Sequence, residues 1–466
     1  MSDIYESQFD FTYAPGTSMD QIIGFEMAGI IWSSYLDDDV TIRIHVESTS
    51  ELPDEVVGAA LPGKKKKEDY DKIQDRLFED ITSNNDQIAF DNLPSDDKEL
   101  NIVIDGVELE KTKEFRLTNA NAKSLDLLDD DRDKLDGYIV VNDLSGNPTV
   151  GWDYDALRSD NIQDNEIDFV SVATHEVGHI LGFNSGIDDD GWLEVLAKSQ
   201  EEEKELKGKD FKFVTPLDLY RYSESSASAG TVDLSTGGNP FFSIDGGNTN
   251  LGYFANGEYT NFGGDGYQAS HWQQNSSQGI MNPILPVGER RNISDLDLIA
   301  MDAIGWDINT SNDLDWSQMY EEAVANADDA IIEDRSKDID KMIKESKYDG
   351  RRRRRSTSVN YFLQFGFWQY TTFDNVDAPE VIPEAELVTT ENTNDGDEEI
   401  DESIAEDTSD ELNSDLTEEN TNDDDEEIDE FIAEDTSDEL NLDLTEGDIT
   451  GSSATSWGED SLLSET

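Results

Sequence analysis

The chain of 466 residues has no cysteine and only four histidines. Without cysteine there is no disulfide, no thiol nucleophile and no thiolate ligand, so a zinc site must be built from His, Asp or Glu. Bases are scarce as well: 33 Lys and Arg stand against 109 Asp and Glu, for a formal net charge of −76. No base follows Arg355; −36 of that charge lies after it and −40 before it. Such an acidic chain excludes nucleic acid as an expected partner. No apolar run is long enough to span a membrane. The opening Met-Ser-Asp-Ile-Tyr-Glu lacks the basic start and apolar stretch of a secretory signal. A soluble protein is expected, either exported without a cleavable N-terminal signal or cytoplasmic.

Against that scarcity, two histidines stand four apart in His175-Glu176-Val177-Gly178-His179. With so few histidines, HExxH arises by chance on the order of a few times in a thousand such sequences. On a helix the two imidazoles share one face and can hold one zinc ion. Glu176 beside them is placed to take a proton from a zinc-activated water and pass it to a leaving amine. A hydrolytic zinc needs a third protein ligand. The choices are His271, in Ser270-His271-Trp272, or a glutamate downstream, Glu194 or the Glu201-Glu202-Glu203 cluster. Gly182 lets the chain turn away soon after His179, and Met281-Asn282-Pro283 forms a turn that can underlie the metal. Both features favour His271.

Elsewhere the periodicities mix helix and strand. Gln21–Tyr35, 70–92, Ile167–Leu181, Leu193–Leu206 and Ile293–Ile304 read as helices, with Asp164 or Asn165 capping the third. Val40–Val46, Leu100–Ile104 and Tyr138–Val141 read as strands. In the first, His45 falls on the polar face and is expected to be exposed. Asp131, Asp133 and Asp136 before Gly137 loosely match a calcium loop but lack its closing glutamate, so Ca²⁺ is weakly supported. Trp316–Tyr348 reads as a charged helical extension. Arg351–Arg355 is a basic run that a basic-specific protease could cut. The aromatic-rich Val359–Phe373 reads as a strand closing the fold, with a ligand platform as the alternative. Residues 391–418 recur at 419–446 with three differences, and the acidic stretch 377–466 is too poor in apolar residues to fold alone. It is expected to be a disordered tail with an unknown partner.

The series HEVGHILGF, a distant SHW, an MNP turn and SDLDLIAMDAIGWD resembles a metzincin zinc metalloprotease. The similarity is greatest to matrixin-like bacterial members and to the leishmanolysin branch, which inserts a long segment before its third histidine. The resemblance covers residues 8–307, with 187–270 as the insert. It implies a catalytic domain over 1–310 of mixed α/β (α+β) class, with a twisted sheet, an active-site helix and a smaller C-terminal subdomain. It further implies zinc bound by His175, His179 and His271, Met281 in a methionine turn, and Glu176 as general base. Protein or peptide substrates would be cut internally. They would pair with an edge strand, for which Tyr138, Ile139, Val140 and Val141 are the candidate. The chain departs from the common pattern at the position six residues past His179, which holds Ser185, and no tyrosine ligand follows Met281. Without cysteine there is no thiol latency switch. A zinc-bearing protein that binds without cutting is the alternative function.

Overall fold

The computed structural model describes residues 7–346 apart from 54–55, 65–66, 95–99, 113, 130–133, 188–191, 193–194, 197–204, 213, 275–277 and 311–314, together with 368–371. The expected helix at Leu193–Leu206, the alternative glutamate ligands, Asp131, Asp133, the arginine run and the acidic repeats therefore fall, in whole or large part, outside the described residues. The described residues all belong to one compact unit. The class is mixed α/β.

Seven strands form the main sheet: β1 (Phe9–Tyr13), β2 (Ile42–Thr49), β3 (Val56–Pro62), β4 (Gly137–Asn142), β5 (Ile284–Pro286), β6 (Ile331–Ile332) and β7 (Trp368–Thr371). Their order is β5-β7-β3-β4-β2-β1-β6. The pairs β6–β1, β1–β2, β2–β4 and β5–β7 are parallel; β4–β3 and β3–β7 are antiparallel. Smaller two- and three-stranded sheets carry the remaining strands.

Helix α1 (Met19–Ser33) begins at Ser18, which forms a capping box with Gln21. It is buried along most of its length because helix α5 (Phe169–Leu181) and the sheet lie against it. The stretch 70–92 divides into α2 (Tyr70–Glu79) and α3 (Asn84–Asp91). The break is local chemistry: Ser83 Oγ accepts from Asp86 N at 3.0 Å while the Asp86 carboxylate accepts from Ser83 N at 3.0 Å, which starts a new helix. A short α4 (Asn119–Ser124) precedes β4, and α6 (Asp295–Ala303) follows β5. The charged stretch after residue 315 forms α7 (Trp316–Asp328) and α8 (Ser336–Ser346), with β6 between them.

Two expectations are corrected here, the first by helix α8. Its Ile339 and Ile343 pack with Val56, Leu61, Tyr138 and Val140, covering the sheet face that alternation marks as polar. His45 is therefore buried, not exposed. Its Nδ1 lies 2.8 Å from Thr12 Oγ1 and its ring stacks on Tyr138. Burial, with the nearby Arg335 charge second, lowers its pKa to about 4. Nor is Tyr138–Val141 an edge strand: β4 runs between β3 and β2, paired on both sides and buried throughout. An inner strand covered on both faces reads as a continuous apolar run, which explains Tyr-Ile-Val-Val.

Candidate metal centre

Helix α5 carries the His175-Glu176-x-x-His179 segment. Its N-cap is Asp168, not the expected Asp164 or Asn165. The buried Asp168 carboxylate accepts from Ser171 N at 3.0 Å and from Arg158 Nη2 at 2.9 Å. Two buried indoles hold the helix carbonyls: Trp32 Nε1 donates to Thr174 O and Trp306 Nε1 to Leu181 O, both at 2.9 Å. The helix ends at Gly182, whose φ of 128° is one that a side chain strains to adopt. Phe183 then turns back so that its carbonyl meets His179 Nδ1 at 2.8 Å.

The three histidines converge. His175, His179 and His271 are buried, with candidate ligand atoms within 4.8 Å of one another. Each Nδ1 faces a backbone carbonyl: His175 that of Ile280 at 2.8 Å, His179 that of Phe183, and His271 that of Gln268 at 3.2 Å. A carbonyl only accepts, so each Nδ1 carries the proton and each Nε2 a lone pair. His179 Nε2 lies 3.1 Å from His175 Nε2 and 3.2 Å from His271 Nε2. Three lone pairs facing one another at that distance repel unless a cation lies between them. An ion held tetrahedrally about 2.0–2.1 Å from each nitrogen spaces them about 3.3 Å apart, so the donor set fits such an ion. Backbone carbonyls on the distal ring nitrogens orient the imidazoles as metal ligands are usually oriented. Burial lowers the proton affinity of all three: His179 falls to about 4, and the others well below the usual imidazole range, with neighbouring imidazoles adding to the effect. Neutral imidazole is the ligand form.

Glu176 is buried, and its Oε1 has no hydrogen-bond partner among the described residues. Burial pushes its carboxyl well above the ordinary range. Across from it lies Gly58 of β3, where a Cβ would stand 2.7 Å from Glu176 Oε1 and 3.0 Å from Val172 Cγ1. Beneath the helix, a Cβ at Gly178 would lie 2.5 Å from Met281 Sδ, so Met281 packs under the turn that joins the two histidines.

The remaining partners of the centre carry weak sequence signals. Asp297, on the first turn of α6, is buried and accepts from Trp272 Nε1 at 2.7 Å, Ile280 N at 2.8 Å and Met281 N at 3.3 Å. Trp272 N in turn donates to Met281 O at 2.9 Å. One carboxylate thus ties the His271 segment to the Met281 turn. The buried Arg221 sends Nη2 to Ala255 O at 2.8 Å, and Ala255 N donates to His271 O at 2.9 Å. Asp297 stood within the SDLDLIAMDAIGWD segment, but its role did not follow from it; nothing marked Arg221. Ser185 is engaged elsewhere, donating its hydroxyl to the buried Asp218 at 2.6 Å. Asp136 is not free for calcium, because its carboxylate meets Lys123 Nζ at 2.6 Å and Arg43 N at 2.9 Å. Among the described residues, no helix is long and apolar enough to cross a membrane. No protein-family model, no curated protein and no solved structure matches this chain.

Proposed function

We propose that the chain is a zinc-dependent endopeptidase of metzincin type. The observation that carries this reading is the convergence of three Nε2 lone pairs beside a buried glutamate whose Oε1 has no hydrogen-bond partner among the described residues. His175, His179 and His271 would hold the ion, and zinc there supplies Lewis acidity toward a carbonyl and toward water. Carbonyl contacts behind each ring fix the imidazoles, so the ligands need little rearrangement. Glu176 takes one proton from the attacking water as the new C–O bond forms. It returns that proton to the amide nitrogen as the C–N bond breaks, leaving a carboxylic acid and an amine. A carboxyl whose proton affinity is raised by burial suits both halves of that exchange.

The test is metal analysis combined with hydrolysis of an unfolded protein such as casein. About one zinc per chain and internal cleavage are expected, with Glu176→Ala retaining zinc and losing cleavage. A chain that takes up zinc but cuts no protein, whether intact or with the variants described below, would support a binding role instead. A chain that takes up no zinc would end both readings.

A further inference from the structure

The strand β7 lies in a specific place. It fills the slot between β3 and β5, with Trp368 opposite Gly58 and Gln369 opposite Val56 on one side. On the other side Gln369, Tyr370 and Thr371 lie opposite Ile284, Leu285 and Pro286. Both flanking strands are walls of the histidine centre. Gly58 is the residue that closes on the Glu176 carboxylate, and β5 begins just after the Met281-Asn282-Pro283 turn beneath the helix. Chain lying in this slot therefore runs past Glu176.

We infer that residues 368–371 are a built-in competitor for the polypeptide-binding slot of this centre, held there by the chain itself. The inference rests on the endopeptidase reading for what is excluded, but the seating of the strand is independent of it. A slot with a strand edge on each side accepts an extended peptide through its backbone and so takes almost any sequence. Such generality suits a hydrolase of unfolded protein, and it also lets a segment of the same chain enter. Tethering gives that segment an effective concentration of about the millimolar range, which a substrate in solution must overcome. Between α8 and β7 the tether contains Arg351–Arg355, so one cut by a basic-specific protease would turn the competitor into a separate polypeptide and remove that advantage.

Three measurements on the full chain test this. In the unaltered protein, hydrogen exchange at residues 369–371 should be slowed as for paired sheet amides. The double variant Gln369→Pro, Tyr370→Pro removes two backbone donors and disfavours the strand. It should bind a labelled synthetic peptide of residues 361–376 about ten-fold or more tighter than the unaltered chain does. It should also hydrolyse casein faster by a similar factor at equal zinc content. Free exchange at 369–371, or equal peptide binding by the two chains, overturns the inference. If neither chain hydrolyses casein while exchange and peptide binding behave as stated, the slot stands and the endopeptidase reading fails. If both hydrolyse equally and bind peptide equally, the endopeptidase stands and the competitor fails.

Discussion

Trp272 donates its indole N–H to Asp297 at 2.7 Å, and that bond ties the third histidine to the floor of the centre. The same carboxylate receives Ile280 N and Met281 N, and it is also the third residue of the capping box that begins α6. Ile280 O in turn faces His175 Nδ1. Asp297 thus acts on two of the three ligands through intervening backbone. Removing it leaves several buried N–H donors without an acceptor, at a cost of about 1–3 kcal/mol for each one left unpaired. The expected result for Asp297→Ala is a thermal midpoint lower by several degrees together with zinc affinity weakened about ten- to a hundred-fold. Asp297→Asn, which keeps the shape and part of the accepting capacity, should recover some of each. Unchanged zinc affinity in a destabilised Asp297→Ala would show that the residue only holds the fold.

The ligand set makes a sharper distinction. His271→Ala should abolish stoichiometric zinc, because two imidazoles from one helix turn leave half the coordination sphere to solvent. Ser185→Ala should keep zinc, since the hydroxyl is bonded to Asp218. Metal analysis after dialysis against a weak chelator separates the two. Zinc retained by His271→Ala would instead favour a glutamate ligand.

The helical half of the centre was legible because HExxH is a local pattern: four residues are one turn, whatever the rest of the chain does. His271 was favoured by the turn that Gly182 permits, by the Met281-Asn282-Pro283 turn downstream, and by the metzincin resemblance, in which Ser185 stands at the compact ligand position. What stayed hidden was long-range. His45 alternates with apolar neighbours as a surface residue does, but Ile339 and Ile343, almost 300 residues later, cover that face. Tyr138–Val141 was read correctly as a strand and wrongly as an edge, since pairing order is a property of the whole sheet and β3 returns antiparallel beside it. Within the aromatic segment, residues 368–371 form the expected strand and the rest lies outside the described residues; the seat of that strand between β3 and β5 was not legible.

Gly58 offers a test of the role proposed for Glu176. A methyl there would meet the Glu176 carboxylate at 2.7 Å and Val172 at 3.0 Å, so Glu176 must move. Gly58→Ala should keep zinc near one per chain and lower kcat by about ten-fold or more, the usual scale of a displaced general base. If kcat holds while KM rises, the added methyl obstructs the strand slot and leaves the proton transfer intact.

A cluster of buried carboxylates away from the histidine centre makes stability depend on pH. Asp38, Asp80 and Asp302 surround the junction of α3 with the end of α6, where Asp38 accepts from Asp307 N at 3.0 Å and Asp302 from Ser83 Oγ at 2.7 Å. Burial first, and repulsion from neighbouring carboxylates second (Asp307 for Asp38 and Asp80, Asp86 for Asp302), raises their pKa values to about 7, 8 and 7 respectively. A folded pKa above the unfolded one means that folding favours the protonated acid. That contribution is complete below the unfolded value near 4 and is lost as pH rises through 7 to 8. Urea unfolding of the metal-free chain should therefore show stability falling from pH 6 to pH 8.5. Removing the central carboxylate with Asp80→Asn should flatten that slope and raise stability at pH 8.5 by on the order of 1 kcal/mol. A slope unchanged by Asp80→Asn would mean that these carboxylates ionise in the folded protein as they do in water, and that the pH dependence arises elsewhere.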